Sequence, residues 1–286
     1  MTTTDAAPDE PLGRLIRGPS AVGGDWRRLV HLTRLLAVTD FRLRFFGSVL
    51  GYLWQVVHPL LLFGVLYVVF TQVVRIGSDV PFYGVALLSG IVLFVFLSEA
   101  TSQAVQSLVD REPIVRKIQF PRLAVPLSVV LTALFRLSLN LLVVFAFLLA
   151  AGGDARVSWL ELPVLIALLT TLAAGLAALL SALYVHFRDV KPIWDVVLQV
   201  IFYGSPIFYP IDVITNDTAR ELLMLNPFAA ILQQFRHAVI DPSNPSAAEA
   251  IGGDARLLVP LGLIAAAAVV GFRYFDRKAP RIAEEL

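Results

Sequence analysis

Glu99 and Arg136 each interrupt a long stretch of otherwise uncharged sequence. A charge at membrane depth is expensive, so such a residue is either paired or at work. Glu99 lies about two helical turns from one end of its stretch, and Arg136 about four turns into the next. Two antiparallel helices, the second starting near Arg122, bring them to similar depths. A structural ion pair, within a bundle or across a subunit boundary, is one reading; a substrate or coupling role is the other. Other reactive chemistry is sparse. His31, His58, His186 and His237 are scattered, with no H-x-x-x-H spacing, and Cys is absent, so no zinc or thiolate site is expected. Gly23-Gly24, Gly152-Gly153 and Gly252-Gly253 lack the Lys and following helix of a G-x-x-x-x-G-K-[ST] phosphate cradle, so the chain is not expected to hydrolyse ATP alone. Phe63, Tyr67 and Phe70, at i, i+4 and i+7, form one helical stripe, either packing or a surface for flat, weakly apolar faces.

The elements that must position these residues are apolar helices. Hydrophobic residues make up 57% of the chain and charged ones 16%, with mean hydropathy +0.76; a soluble domain carries about 45–50% and about 25%. Net charge is only +1, so no basic field points to nucleic acid. A crossing helix needs about 20 apolar residues. Six stretches are read as spans, at 52–74, 82–108, 123–151, 162–185, 190–209 and 257–272, within a membrane domain at 47–275. The fifth contains Gly204-Ser205-Pro206, which should kink or end it. Seventeen of the 23 Arg and Lys residues flank one side of this arrangement and five the other, which makes both termini cytoplasmic. Residues 1–24 and 276–286 are polar tails. Residues 25–46 carry Trp26, Leu29, Val30, Thr33, Leu36 and Ala37 at helical spacing opposite arginines. Such a helix lies along the inner leaflet or packs on a cytoplasmic partner. In the outer loop, 218–225 and 227–240 are too short to cross and are expected to form a re-entrant hairpin, with an ordinary outer cap as the alternative. The fold class is thus all-α and polytopic, with an N-terminal amphipathic interfacial helix and a hairpin before the last span.

Two connections on the arginine-rich side are short and chemically dense: 109–122, with Asp110, Arg111, Pro113, Arg116, Lys117 and Arg122, and 186–192, with Arg188, Asp189 and Lys191. Tight turns with positive anchors would account for much of both. The motifs themselves are recognisable. Phe45-Phe46-Gly47-Ser48-Val49-Leu50-Gly51-Tyr52-Leu53-Trp54 followed by His58-Pro59-Leu60, Arg116-Lys117-Ile118-Gln119-Phe120-Pro121-Arg122, Phe187-Arg188-Asp189-Val190, Ser205-Pro206-Ile207-Phe208-Tyr209-Pro210 and Leu225-Asn226-Pro227-Phe228 occur in one order. Together, over about residues 25–275, they resemble the permease family of type-2 ABC exporters for O-antigen, teichoic acid and cell-wall galactan.

That resemblance implies a six-helix subunit of a homodimer in the bacterial plasma membrane, with two copies of a separate cytoplasmic ATPase that binds ATP and Mg. This chain itself would hold no cofactor. Asp110, Arg111, Arg116, Lys117, Arg188 and Asp189 fall in the family's coupling connections. Asn226, Pro227 and Phe228 fall in its outer gate. Trp54, Phe63, Tyr67, Phe70, Phe202 and Tyr203 fall in the first and fifth spans, which border the family's glycan conduit. The cargo implied is a polyprenyl-diphosphate-linked polysaccharide, and the Arg-rich, Ala-rich composition of a high-G+C bacterium leans toward a galactan. A secondary transporter would show internal repeats and broken mid-membrane helices. A membrane enzyme acting on polyprenyl lipid would show clustered carboxylates or histidines. The sequence shows neither a clear repeat nor such a cluster.

Overall fold

A computed structural model describes residues 26–45, 49–75, 80–113, 120–280 and 282, with the side chains of 44, 45, 49–53, 55 and 56 outside that description. The expected tail at 1–24, residues 281 and 283–286 of the tail at 276–286, and Arg116 and Lys117 with the centre of their connection therefore lie outside the described residues. The architecture is 82% helical, and no strand occurs among the described residues.

In chain order the helices are α1 (Trp26–Phe45), α2 (Val49–Val68, continued by a π turn at Val69–Val73), α3 (Tyr83–Asp110), α4 (Ala124–Ala150), α5 (Leu162–His186), α6 (Val190–Tyr203), α7 (Asp217–Met224), α8 (Pro227–Phe235, with a π turn at Arg236–Ile240), α9 (Ala247–Ile251) and α10 (Leu258–Lys278). Among the described residues, four helical stretches are long and apolar enough to cross a membrane, those of α3, α4, α5 and α10, and a shorter apolar helix covers Val57–Val73.

The core sits on α3, whose most apolar window is 72% buried. Leu87, Leu88, Ile91, Leu93 and Leu97 are fully enclosed there, packed against α4 and α5. Helix α10 lies outermost, its window only 17% buried, and joins α5 through glycines. A Cβ on Gly175 would stand 2.6 Å from the Ala267 backbone, and one on Gly271 would collide with the Gly175 carbonyl. Small residues are what allow two backbones to approach this closely.

Helix α6 is 14 residues long and stops at Tyr203, at the Gly204-Ser205-Pro206 where the sequence predicts a kink or an end, although the fifth span was read on to Tyr209. Gly204 takes the C-cap position and Pro206 has no amide to donate, so residues 204–209 run without helical bonding. In helix α1, Leu29 is buried with Leu108, Phe120, Ala124 and Phe275 at one end of the bundle and Ala37 is buried as well, while Trp26 and Val30, placed on the same face by periodicity, are exposed.

Helix α8 seats Phe228, Ile231, Leu232 and Phe235 in the main core. Around it, Ile211, Met224, Ala230, Ala250 and Ile251 form a satellite core for the outer segment. The short α9 is held by a capping box in which Ser246 Oγ accepts from the Glu249 amide at 3.2 Å and the Ser246 amide donates to Glu249 Oε2 at 2.7 Å. Hydrogen bonding from the Ser246 amide and side chain holds the exposed Glu249 carboxyl below its ordinary pKa.

Candidate functional site

The last turns of α3, α5 and α10 and the first turns of α4 and α6 meet at one end of the bundle, together with α1. Arg111 ends α3 and is committed to structure: it pairs with Asp40 of α1, and its Nη1 donates to Ser128 Oγ of α4 at 3.2 Å. Arg122 is buried and donates to the Ala279 carbonyl. Asp110, Arg188 and Asp189 instead face outward. The Arg188 guanidinium lies 4.9 Å from the centre of the Tyr184 ring, and Asp189 occupies the N-cap of α6 without a side-chain cap bond. The structure therefore separates the coupling residues read from sequence into one that ties helices together and three that are presented at the surface.

Behind this end, α6 is held to α3 by directional bonds more than by bulk. Only Trp194 and Leu198 of α6 are buried. Trp194 Nε1 donates to Thr101 Oγ1 at 2.9 Å, Ser102 Oγ donates to Asp195 Oδ1 at 3.2 Å, and Lys191 Nζ reaches the same carboxylate at 2.7 Å.

Midway along α3, Arg136 Nη1 donates to Glu99 Oε2 at 2.8 Å, so the two intramembrane charges are paired inside one subunit. The pair is asymmetric: the arginine side chain is 4% exposed and the glutamate 30%. Arg136 Nε and Nη2 have no partner. Glu99 opens onto a groove of about 510 Å³ between α2, α3 and α6, whose polar wall includes His58, Ser98, Asp195 and Gln199 and whose aromatic wall is Phe94, Phe202 and Tyr203. A smaller cavity of about 160 Å³ shares His58 and Glu99 with it and is closed by Trp54 and Asn140.

The expected aromatic stripe does not form one wall. Phe63 and Tyr67, 5.5 Å apart, line a different groove with Tyr83 and Phe147. Phe70 stacks on Phe208 at 5.4 Å, and Phe208 packs against Phe202 at 5.1 Å. Of the six conduit residues read from sequence, Trp54, Phe202 and Tyr203 thus gather around Glu99, Phe70 reaches them through Phe208, and Phe63 and Tyr67 stand apart.

At the far end, Asn226 caps α8. Its Oδ1 accepts from the Phe228 amide at 3.0 Å and its Nδ2 donates to Ser205 Oγ at 3.0 Å. Pro227 fills the first helical position and Phe228 is buried edge-on against Phe94 at 5.9 Å. The non-helical residues 204–209 are gripped from three sides: Asn226 holds Ser205, Tyr83 Oη donates to the Phe208 carbonyl at 2.7 Å, and the buried Arg236 donates to the Ile207 carbonyl at 2.9 Å and to that of Tyr209 at 3.3 Å. Sequence reasoning missed Arg236, counting it only as a loop charge, and missed Asp195, His58 and Phe94. Asp195 had a signal, since its i,i+4 spacing from Lys191 marks a pair on a helix; a lone Phe in an apolar run has none.

Residues 31–240 match the family described as ABC-2 type transporter. The O-antigen export system permease protein RfbA of Myxococcus xanthus is 30% identical over 213 residues, which cover 74% of this chain and 81% of that protein. A protein of the same name from Klebsiella pneumoniae is 27% identical over 209 residues, 73% of this chain and 80% of its own.

Proposed function

Because the chain belongs to the ABC-2 type transporter family, and is thus a multi-pass membrane protein, we propose that it is the transmembrane subunit of an ABC exporter of a lipid-linked polysaccharide. One observation carries this: the family match covers residues 31–240, from α1 to α8, and the named permeases match about three quarters of the chain. ATP hydrolysis is supplied by a separate ATPase subunit, and two copies of the permease work together in the bacterial plasma membrane with both termini cytoplasmic. The chain crosses six times, α2 and α6 making the first and fifth crossings, and α7–α8 form a re-entrant hairpin. The core residues of α8 support that last reading, since an exterior cap has no reason to send four large apolar side chains into the bundle.

Coupling runs from the exposed end. Closure of the ATPases pushes on Asp110, Arg188 and Asp189, and on Arg116 and Lys117 in the adjoining connection, and α6 carries the push to residues 204–209 and the gate at Asn226, Pro227 and Phe228. The glycan, carried on polyprenyl diphosphate, passes the aromatic residues of α2 and α6. The test is the purified complex in lipid vesicles. Replacing Arg188 and Asp189 together with Ala leaves the assembly intact and abolishes substrate-stimulated ATP hydrolysis. Undiminished stimulation removes these residues from coupling, and failure to co-purify with a Walker-A protein removes the exporter reading itself.

A further inference from the structure

Between α5, α8 and α10 lies a recess unlike the groove beside Glu99. Pro227, Ala230, Ile231 and Gln234 stand at i, i+3, i+4 and i+7 of α8 and turn one face of that helix toward it. Leu165 and Leu168 from the first turns of α5, and Leu261 and Ile264 from the first turns of α10, make the other walls. The cavity is about 130 Å³, and no charged side chain lines it among the described residues. Its one polar side chain is engaged at both ends: Gln234 Oε1 accepts from the Ala247 amide at 3.0 Å, and Nε2 donates to Glu161 Oε2 at 2.7 Å. The floor is closed at Ile231 and Ile264, both buried, and the rim is open at Leu261, 42% exposed, beside Leu258 at 70%.

Water gains little in such a space, because a buried water needs two or more polar partners. Left empty, the recess forfeits the dispersion contacts of its lining. The face of α10 that continues from the rim is apolar and exposed at Leu258, Leu261 and Leu263, and in a multi-pass membrane protein that face meets hydrocarbon. The surrounding solvent therefore supplies the occupant. We propose that the recess binds one acyl chain of a bilayer phospholipid, from the leaflet at this end of the bundle. The inference rests on the membrane residence that the family gives; only the identity of the leaflet, the outer one, rests on the topology proposed above. A polyprenyl chain carries a methyl branch on every isoprene unit and is the bulkier guest, whereas a cavity of about 150 Å³ holds a benzene-sized molecule. The recess also shares no lining residue with the aromatic groove between α2, α3 and α6. Pro227 belongs both to the gate motif and to the recess wall, so the bound chain is a packing partner of α8 that the bilayer itself provides.

The test uses the complete permease–ATPase complex in vesicles that contain phosphatidylcholine with a diazirine in the upper half of one acyl chain. After illumination, adducts are located by peptide mass spectrometry, and the readout is labelling at Ile231 relative to Leu263. Contact with bulk lipid alone follows exposure, which is 4% at Ile231 and 47% at Leu263 and so sets a baseline about tenfold below one. A chain in the recess brings the ratio to about one, a tenfold rise over that baseline. Ala230→Leu fills the space from α8 and Leu168→Phe from α5, and each should return the ratio to the baseline; because the ratio is internal to one chain, a lower yield of complex does not move it. Phosphatidylglycerol with the same labelled chain should give the same ratio, since the lining carries no charge. A parent ratio at the baseline, or one that neither substitution moves, overturns the proposal. A ratio that depends on the head group overturns it in favour of a head-group site, and adducts removed by unlabelled polyprenyl-diphosphate-linked glycan assign the recess to the cargo's anchor instead. Labelling needs no transport, so a complex whose ATPase ignores glycan removes the exporter reading and leaves this result intact.

Discussion

Helices α3 and α6 lie side by side and are built on opposite plans. Helix α3 is enclosed by α2, α4, α5 and the outer segment, with 18 of its 28 residues buried. Its stability is that of close packing, which tolerates neither added nor deleted volume. Helix α6 buries two residues out of 14 and is attached by a tryptophan, a carboxylate and their partners on α3. A few hydrogen bonds, each worth about 1 kcal/mol net, can be exchanged in a working cycle where a packed core cannot. The contrast sets a closely packed frame of α3, α4, α5 and α10 against α6, the element that the proposed coupling would move.

Four substitutions or conditions test that division, from the largest expected effect downward. Gly271→Leu drives a side chain into the α5 backbone and should cost about 3 kcal/mol or more, enough to lose the monodisperse protein on size exclusion. If a stable, active subunit forms, the frame is softer than its geometry. Next, Glu99→Gln leaves the buried Arg136 guanidinium without a carboxylate and should destabilise by about 3 kcal/mol. Arg136→Met, which leaves a glutamate with access to the groove, should cost less. Equal thermal shifts for the two would remove the asymmetry. Trp194→Phe keeps the ring and deletes the bond to Thr101, which predicts a loss of about 1 kcal/mol in unfolding but a more than tenfold loss of stimulated ATPase. A proportionate fall in both would make α6 part of the frame. The smallest effect is in the outer segment. The Glu249 pKa is lowered by its Ser246 bonds, so the cap's contribution is complete above the unfolded glutamate pKa and is lost as pH falls through the folded value. Amide exchange at 246–251 should rise on acidification while that of α3 does not.

The frame was legible in the sequence because uncharged length and periodicity determine it: Tyr83–Asp110 and Ala124–Ala150 fall close to the stretches read at 82–108 and 123–151. The Glu99–Arg136 pair was legible because charge is rare at that depth. Helix α9 was not foreseen, although Ser246 and Glu249 carry the S-x-x-E spacing of a capping box. The fifth span was read to Tyr209 because apolar composition continues through Ile207-Phe208-Tyr209, but Gly204-Ser205-Pro206 already marked where the helix should kink or end, and α6 ends there. What composition does not encode is who accepts the freed backbone. The partner, Arg236, lies about 30 residues away in sequence and on another element. For the same reason the stripe Phe63, Tyr67 and Phe70 read as one wall. Periodicity gives the face of an isolated helix, whereas Tyr83, Phe147 and Phe208 decide which ring each residue meets.

The early stop of α6 also fixes how this subunit fits its solvent. Fourteen residues rise about 21 Å, against about 30 Å of hydrocarbon. In the six-crossing arrangement proposed above, the shortfall would be bridged by backbone with no helix to satisfy it, which is tolerated at that depth only where protein shields it. The arginine, tyrosine and asparagine that grip residues 204–209 supply that shield from inside the subunit. Hydrophobic mismatch should therefore act on this protein locally. A thicker bilayer would stretch the region over 204–209, while α3, at 28 residues, rises about 42 Å and remains long enough to span it. In that arrangement lipid chain length would act on α6 and residues 204–209 before it acts on the frame.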